Sequence, residues 1–254
     1  MILKRSLIAK KKFRSDKKKY IAQYEKCRGG GVFTYNKNHT MPILFDYIAS
    51  AGYLDEHYFL QDIFVASYVT RMGIKHIYDI GSRVDGYIGH LLSGDIHVTM
   101  IDIRPLSVEI DGLDFIQDDA TMLSSIVDGS IAALSSLHAL EHFGLGRYGD
   151  TVDYNGWKKA LDAFVRKIAT GGVLILSVPV GCSDVLVFNA HRIFMPITIY
   201  NQVCNLMSLE SFTLIQNFKM QTFTFNSEDD VQEKLTNIAK TLDYDCGIFI
   251  LRKH

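Results

Sequence analysis

Cysteine is scarce. The 254 residues contain four, Cys27, Cys182, Cys204 and Cys246, far apart and with no C-x-x-C pair. This excludes a disulfide framework and a paired-cysteine metal or redox motif, and predicts buried, reduced thiols in a cytoplasmic protein. Long apolar runs are missing too: none approaches the ~20 residues that a membrane span needs. The first residues lack the apolar core and small-residue cleavage site of a secretory signal. No internal repeat occurs, and there is no low-complexity tract beyond a cluster of lysines.

The remaining composition is ordinary for a globular chain, with 48% hydrophobic and 22% charged residues. The length suits one large α/β domain with an N-terminal extension. Net charge is −1, but its placement is uneven. Lys4, Arg5, Lys10, Lys11, Lys12, Arg14, Lys17, Lys18 and Lys19 face only Asp16, so the first twenty residues carry +8 and the remainder −9. Such an arm fits a solvated, partly helical tail. Peripheral contact with an anionic membrane stays open through a weak apolar face of Ile2, Leu3, Leu7, Ile8 and Phe13. Nucleic acid is not an expected partner, because the basic residues are confined to the arm and the body is acidic. The chain divides into a basic arm and a loop around Gly29–Gly31 over 1–40, a helical cap over 41–73 with a loop at Ala51–Gly52, and a ligand-binding domain over 74–254.

The centre of that domain is His76–Arg104. His76–Ile80 is a short β-branched and aromatic run that predicts a strand. Val84–Leu92 predicts a helix with Tyr87, Ile88, Leu91 and Leu92 on one face, and Val98–Ile103 predicts a second strand. Strand, glycine turn, helix and strand form half of a nucleotide-binding unit. Asp102 lies 23 residues beyond Asp79, where a carboxylate can hold ribose hydroxyls at the tip of the second strand. Gly81, Gly86 and Gly89 do not spell the dinucleotide pattern G-x-G-x-x-G. Further strands are expected at Leu113–Ala120, Ile131–Leu137, Gly172–Pro179, Phe212–Phe225 and Gly247–Leu251. Helices are expected from Trp157 to a stop at Gly171–Gly172, over Ile197–Met207, and within Ser227–Leu242, with a loop over Val180–Phe194. The alternation predicts a Rossmann-like α/β fold: a seven-stranded, mostly parallel sheet with helices on both faces and an N-terminal helical extension.

Open α/β sheets bind ligands beyond the carboxyl ends of their strands. At those ends lie Asp118 and Asp119, which suit an adenine amino group or, equally, a solvated turn, and His138-Ala-Leu-Glu141-His142. The next loop, Phe143–Asp150, is rich in glycine and carries Arg147, Tyr148 and Asp150, and Asn189-Ala-His191-Arg192 follows the fifth strand.

Asp79-Ile-Gly81 resembles the start of the D-x-G-x-G turn of class I methyltransferases that use S-adenosylmethionine (SAM), with Arg83 at the second glycine. More narrowly, DEHYFLQD, YDIGSRVDGYIGHL, VTMIDIRPL, SSLHALEHFGLGRYGD and FNAHRIF resemble the domain-of-unknown-function family 268, whose members commonly accompany surface-polysaccharide biosynthesis. The resemblance spans roughly 40–225 and implies SAM as cofactor. It implies Asp79, Gly81 and Ser82 at the carboxypropyl end, Asp102 and the adjoining Ile103 at the ribose, and Asp118, Asp119 and Ala120 at the adenine. His138 falls beside the sulfonium, Tyr58, Gln61 and Asp62 either face the cofactor from the cap or pack the helix, and Arg83 meets either the SAM carboxylate or an anionic substrate.

Methyl transfer from a sulfonium needs alignment and dryness, and a sugar-hydroxyl acceptor needs a base as well. His142 and His191 are the candidate bases, with Glu141 orienting an imidazole. Arg147, Tyr148, Asn189 and Arg192 would bind the phosphate or carboxylate of a small or saccharide-linked acceptor. A phosphate or carboxylate acceptor would need no strong base. A divalent ion is not expected, and its ligands would be His138, Glu141, His142 and Asp150. The H-x-x-E-H spelling matches a zinc-peptidase motif, but Gly144 and Gly146 interrupt the helix such a site requires. Tyr154-x-x-x-Lys158 matches a dehydrogenase pair yet precedes the fifth strand instead of following it. A catalytically silent SAM- or nucleotide-binding scaffold is the rival reading; it predicts binding without turnover.

Overall fold

The computed structural model describes residues 2–26, 35–38, 40–47 and 54–254, with side chains of the first helix from Leu7 onward. The expectations for Cys27, the Gly29–Gly31 loop and the Ala51–Gly52 loop lie outside the described residues. The chain forms two compact units, Met1–Leu54 and Asp55–His254.

In the first unit the basic arm is a helix, α1 (Ile2–Lys26), followed by a short turn at Phe45–Tyr47. Lys12 pairs with Asp16 one turn on, at 2.9 Å, and lies over the Tyr47 ring. Leu7 and Ile8 stand exposed while Ala9 is buried. No described helix is long and apolar enough to cross a membrane.

The second unit opens with α2 (Glu56–Arg71), whose first turn is capped by the Asp55 carboxylate accepting from Tyr58 N. The strands are β1 (His76–Ile80), β2 (His97–Asp102), β3 (Leu113–Gln117), β4 (Ile131–Leu137) and β5 (Ile168–Val180). A small hairpin follows, β6 (Val185–Val187) with β7 (His191–Ile193), and then β8 (Met207–Gln216), β9 (Lys219–Thr224) and β10 (Asp245–Lys253). The main sheet runs β3-β2-β1-β4-β5-β10-β8-β9. The pairs among β1 to β5 are parallel, and β10 enters antiparallel between β5 and β8. β5 is apolar almost throughout, as a strand covered on both faces must be.

The remaining helices are α3 (Gly89–Ser93), α4 (Gly156–Lys167), α5 (Pro196–Val203) and α6 (Glu228–Ala239). One face of the sheet packs Leu134, Leu176 and Phe249 with Leu161 and Phe164 of α4, Tyr200 of α5 and Leu235 of α6. The other packs Ile77, Val98 and Ile248 with Val65 and Val69 of α2 and with Tyr87 and Leu91 after the first strand.

The structure corrects four expectations. The sheet has eight strands, because the stretch expected as one strand over Phe212–Phe225 is the β8–β9 hairpin. Asn217 and Phe218 adopt φ of 53° and 56°, the left-handed pair that a two-residue hairpin turn demands. The helix expected over Val84–Leu92 is a wide π turn (Val84–Ile88) leading into α3, because Gly86 (φ −129°, ψ −113°) leaves the helical path. The helix expected to end at Gly171–Gly172 stops at Lys167, and β5 starts at once with a register slip opposite Ile131 and Ala133. Of the described cysteines only Cys246 is buried; Cys182 is exposed and Cys204 half-buried.

Candidate functional site

The order β3-β2-β1-β4 reverses direction of progress between β1 and β4, and the carboxyl ends of those strands frame the crevice where such sheets take ligands. At the tip of β1 the Asp79 carboxylate is fully buried. It accepts from Ser82 N at 3.1 Å, Ser82 Oγ at 3.0 Å and Ser135 Oγ at 2.7 Å. Burial outweighs these bonds and pushes its pKa up to about 6. Gly81 follows with φ +78°, and a Cβ there would lie 2.9 Å from Ala139 Cβ. The crevice beside Gly81 is thus closed on the β4 side by a methyl group. Arg83 turns outward, doubly bonded to Asp85 in an exposed pair.

A carboxyl whose folded pKa exceeds its ordinary 3.8 holds its proton more tightly in the fold. Asp79 therefore favours folding at acid pH and withdraws that support as pH rises from 3.8 to about 6. Asp79→Asn cannot ionise, so its stability is expected to fall less across that window, by up to about 3 kcal/mol. Urea unfolding at several pH values checks this; parallel profiles for the two proteins would refute it.

Asp102, at the tip of β2, is not the free carboxylate expected for a ribose. It is 8% exposed, and Arg104 engages it three times, through N at 2.8 Å, Nε at 3.0 Å and Nη2 at 2.7 Å. The reason is local: the guanidinium two residues on offers Asp102 a bidentate, charge-assisted partner. Arg104 also stacks on the Tyr148 ring, 4.6 Å from its centroid, with Arg147 5.1 Å away. Ile103, beside Asp102, accepts Gln117 Nε2 on its carbonyl. Asp118 uses both carboxylate oxygens on Asp119 N and Ser125 N, each at 2.7 Å. Asp119 takes Thr121 N and Oγ1, both on Oδ1, and Ala120 packs against the core. These are turn-closing bonds, so Asp118 serves the turn.

At the tip of β4, His138 adopts φ 49° and is buried. Its Nδ1 lies 3.0 Å from Glu141 Oε1, and His142 Nε2 lies 3.6 Å from the same oxygen. Among the described residues His138 Nε2 and Glu141 Oε2 are buried without hydrogen-bond partners. Burial opposes a charged His138, but the Cys246 sulfur and the Glu141 carboxylate together outweigh it, and its pKa is pushed up to about 10. His138 and Glu141 are thus a tightly coupled buried pair.

His142 Nδ1 is 2.7 Å from the Ala190 carbonyl, which fixes the proton on that nitrogen. Arg147 Nη1 donates to the same carbonyl at 2.9 Å, so its 3.3 Å approach to Nδ1 is two donors sharing one acceptor. Burial lowers the His142 pKa below its ordinary 6.5, although Glu141 opposes the shift. Nε2 is left as the ring's free lone pair. Asp150 organises the loop by accepting Gly144 N at 2.8 Å, Gly146 N at 3.2 Å and Tyr148 N at 3.2 Å. Among the described residues no group of three or more His, Cys, Asp or Glu side chains is arranged to hold a metal ion.

Three side chains expected to meet ligand, Arg192 and Asn189 at the substrate and Gln61 at the cofactor, bond the scaffold instead. Arg192 is buried and donates to the carbonyls of Phe143 (2.7 Å), Glu141 (3.4 Å) and Tyr154 (3.5 Å), bracing the loop from below. Gln61 is buried too, its amide bonded to Ser177 Oγ and to Asp62. Asn189, at φ 63°, donates to Leu145 O. Tyr58 stays partly exposed with its ring 5.2 Å from that of His138, and burial pushes its hydroxyl up to about 12.

The sequence reading missed His57 and Tyr244. His57 stacks between His138 (5.6 Å) and Tyr244 (5.4 Å), and Tyr244 reaches His191 at 5.6 Å. The four rings, brought by β4, α2, the turn before β10 and β7, line one wall above Glu141. No local pattern announces Tyr244, because the contacts joining it to the site are long-range.

Solved structures with the same fold identify the class. The [4+2]-cyclase SpnF superposes with a TM-score of 0.55 at 15% identity, covering 76% of this chain and 80% of its own. N-methyltransferase NodS from Bradyrhizobium japonicum, in complex with S-adenosyl-L-homocysteine (SAH), gives 0.50 at 13% identity over 79% and 90%. The 1,6-didemethyltoxoflavin-N1-methyltransferase of Burkholderia thailandensis, with SAH and 1,6-didemethyltoxoflavin bound, gives 0.50 at 11% over 81% and 93%. The Asp55–His254 unit thus has the class I methyltransferase fold. The chain belongs to the family described as Caenorhabditis protein of unknown function, DUF268, whose model matches residues 107–253. No curated protein matches it.

Proposed function

We propose that the protein is a SAM-dependent methyltransferase acting on a small acceptor, with an oxygen of a saccharide-linked or phosphate-bearing molecule as the preferred target. One observation carries the reading: at the switch point of a class I methyltransferase sheet, the Asp79–Gly81 turn at the tip of β1 lies beside the tip of β4, which carries the buried His138–Glu141–His142 group, with Gly81 against Ala139. Fold alone is not enough, since SpnF, a cyclase, shares it.

The residues fit the cofactor. Asp79 and Gly81 would take its amino-acid end, Asp102 would take the ribose once released from Arg104, and Asp119 Oδ2 is not engaged by the Thr121 bonds. SAM supplies an electrophilic methyl on a sulfonium that leaves neutral. Tyr58, His57 and Tyr244 supply aromatic surface beside His138 against which ligand can pack. His142 Nε2 removes the acceptor proton, and Glu141 stabilises the imidazolium that results. His191, half-buried against Tyr244, is the second candidate base. Arg147 and Tyr148 border the acceptor side, and exposed α1 lysines add peripheral contact with anionic lipid, which vesicle sedimentation tests. Calorimetry with SAH, followed by label transfer from SAM to an acceptor panel, tests the whole reading; failure of both sinks it.

A silent scaffold is the second reading, favoured by the hold of Arg104 on Asp102. The two part on a pair of variants. If Asp102 receives the ribose, Arg104 must swing away, as its half-exposed guanidinium allows. Asp102→Ala is then expected to weaken SAH roughly tenfold or more, about 1.4 kcal/mol. Arg104→Gln is expected to leave affinity unchanged or improve it severalfold. Equal losses in both variants would remove Asp102 from the cofactor site.

A further inference from the structure

The turn after β1 is acidic, and its own cation, Arg83, is taken up by Asp85. Asp62 reaches it from α2: its Oδ2 lies 2.6 Å from where a Cβ at Gly86 would stand, so the carboxylate uses the space that glycine leaves open. Gln61 Nε2 donates to Oδ1 at 3.3 Å and the Tyr87 backbone N–H donates as well, which leaves the carboxylate oriented but not neutralised. Among the described residues no ion pair involves Asp62, and Arg83, the cation of the same turn, is held outward by Asp85. Burial pushes the Asp62 pKa up to about 6, and His90 and His138 only offset the shift. Asp79, equally without a cation, adds its field from the tip of β1. Its oxygens are covered by Ser82 and Ser135, so the accessible acidic group is Asp62.

A half-buried carboxylate already fixed by two donors, beside a second buried acid, is a site for a compact monovalent cation. A divalent metal would need more free oxygens than this turn offers. Resting on the SAM reading above, we propose that Asp62 receives the α-ammonium of the cofactor's amino-acid end, so that α2 clasps one end of the ligand and the strand tips clasp the other. Asp62 is a binding residue by this assignment, and α2 is part of the cofactor site.

The test compares SAH with 5′-methylthioadenosine, which keeps the adenosine and thioether but lacks the amino acid. By calorimetry, Asp62→Asn is expected to weaken SAH ~10- to 100-fold while leaving 5′-methylthioadenosine unchanged. On the unaltered protein, an SAH analogue lacking only the amino group is expected to lose affinity by the same factor, which checks the assignment without any variant. Equal losses for both ligands in Asp62→Asn, or full affinity for the deaminated analogue, overturn the assignment. Wild-type protein that binds 5′-methylthioadenosine as well as SAH overturns it and leaves adenosine recognition standing. Wild-type protein that binds neither overturns both.

Discussion

Gly144→Ala is expected to destabilise the Asp55–His254 unit by about 4 kcal/mol or more. The backbone at Gly144 has φ +78°, which for an L residue costs roughly 1–2 kcal/mol. A Cβ there would also collide with the Asp153 carbonyl oxygen and approach Asp153 C and Gly156 Cα at 3.1 Å. The loop cannot retreat. Gly144 N is held by Asp150, Gly144 O accepts Asp153 N at 3.0 Å, and Gly156 is itself packed on Gly144. Gly149→Ala is the control, since it shares a positive φ (+84°) but meets open space, and it should cost about 1 kcal/mol. In a domain of this size the first substitution should lower Tm by roughly 10 °C and the second by a few degrees. Thermal melts that rank the two equally would show that the close approach of Gly144 to Asp153 and Gly156 does not govern stability.

His142→Gln is expected to lower kcat by ~10²- to 10⁴-fold with little change in cofactor affinity. His142 is the imidazole whose tautomer the fold determines, through Ala190, and whose free nitrogen points to Glu141. Glutamine keeps a donor for Ala190 but offers no basic lone pair. The pH profile carries a second mark. Burial lowers the His142 pKa below its ordinary 6.5, so the wild-type rate should rise with pH below that value and be flat above it. Once the base is gone the residual rate should lose this acid limb. Label-transfer kinetics between pH 5 and 8 read both features. An unchanged kcat, or an acid limb that survives in His142→Gln, would move the role to His191 or to an acceptor that needs no base.

Much of the fold was legible because it is written locally. His76–Ile80 and Ile131–Leu137 read as strands from their own composition, and both bounds match the structure. The tip of each strand could then be placed, and with it Asp79, Asp102 and His138. The π turn was not legible, since Val84–Leu92 has helical apolar spacing and nothing in that spacing reports Gly86 against Asp62. The β8–β9 hairpin was missed for a similar reason: Asn217-Phe218 lacks the glycine that usually marks a left-handed turn.

The sequence by itself determined the class of the domain, because strand and helix periodicities are properties of neighbouring residues, and it named the strand tips at which chemistry is placed. Tertiary structure alone decided which polar groups are free. Asp102 is closed by Arg104, Gln61 by Ser177 and Arg192 by three carbonyls, whereas His138 Nε2 and Glu141 Oε2 are left without partners among the described residues. The physical reason is that a buried polar side chain bonds whatever the fold brings within about 3 Å. Most of those partners are distant in sequence, and a residue type does not reveal whether its hydrogen bonds are already made.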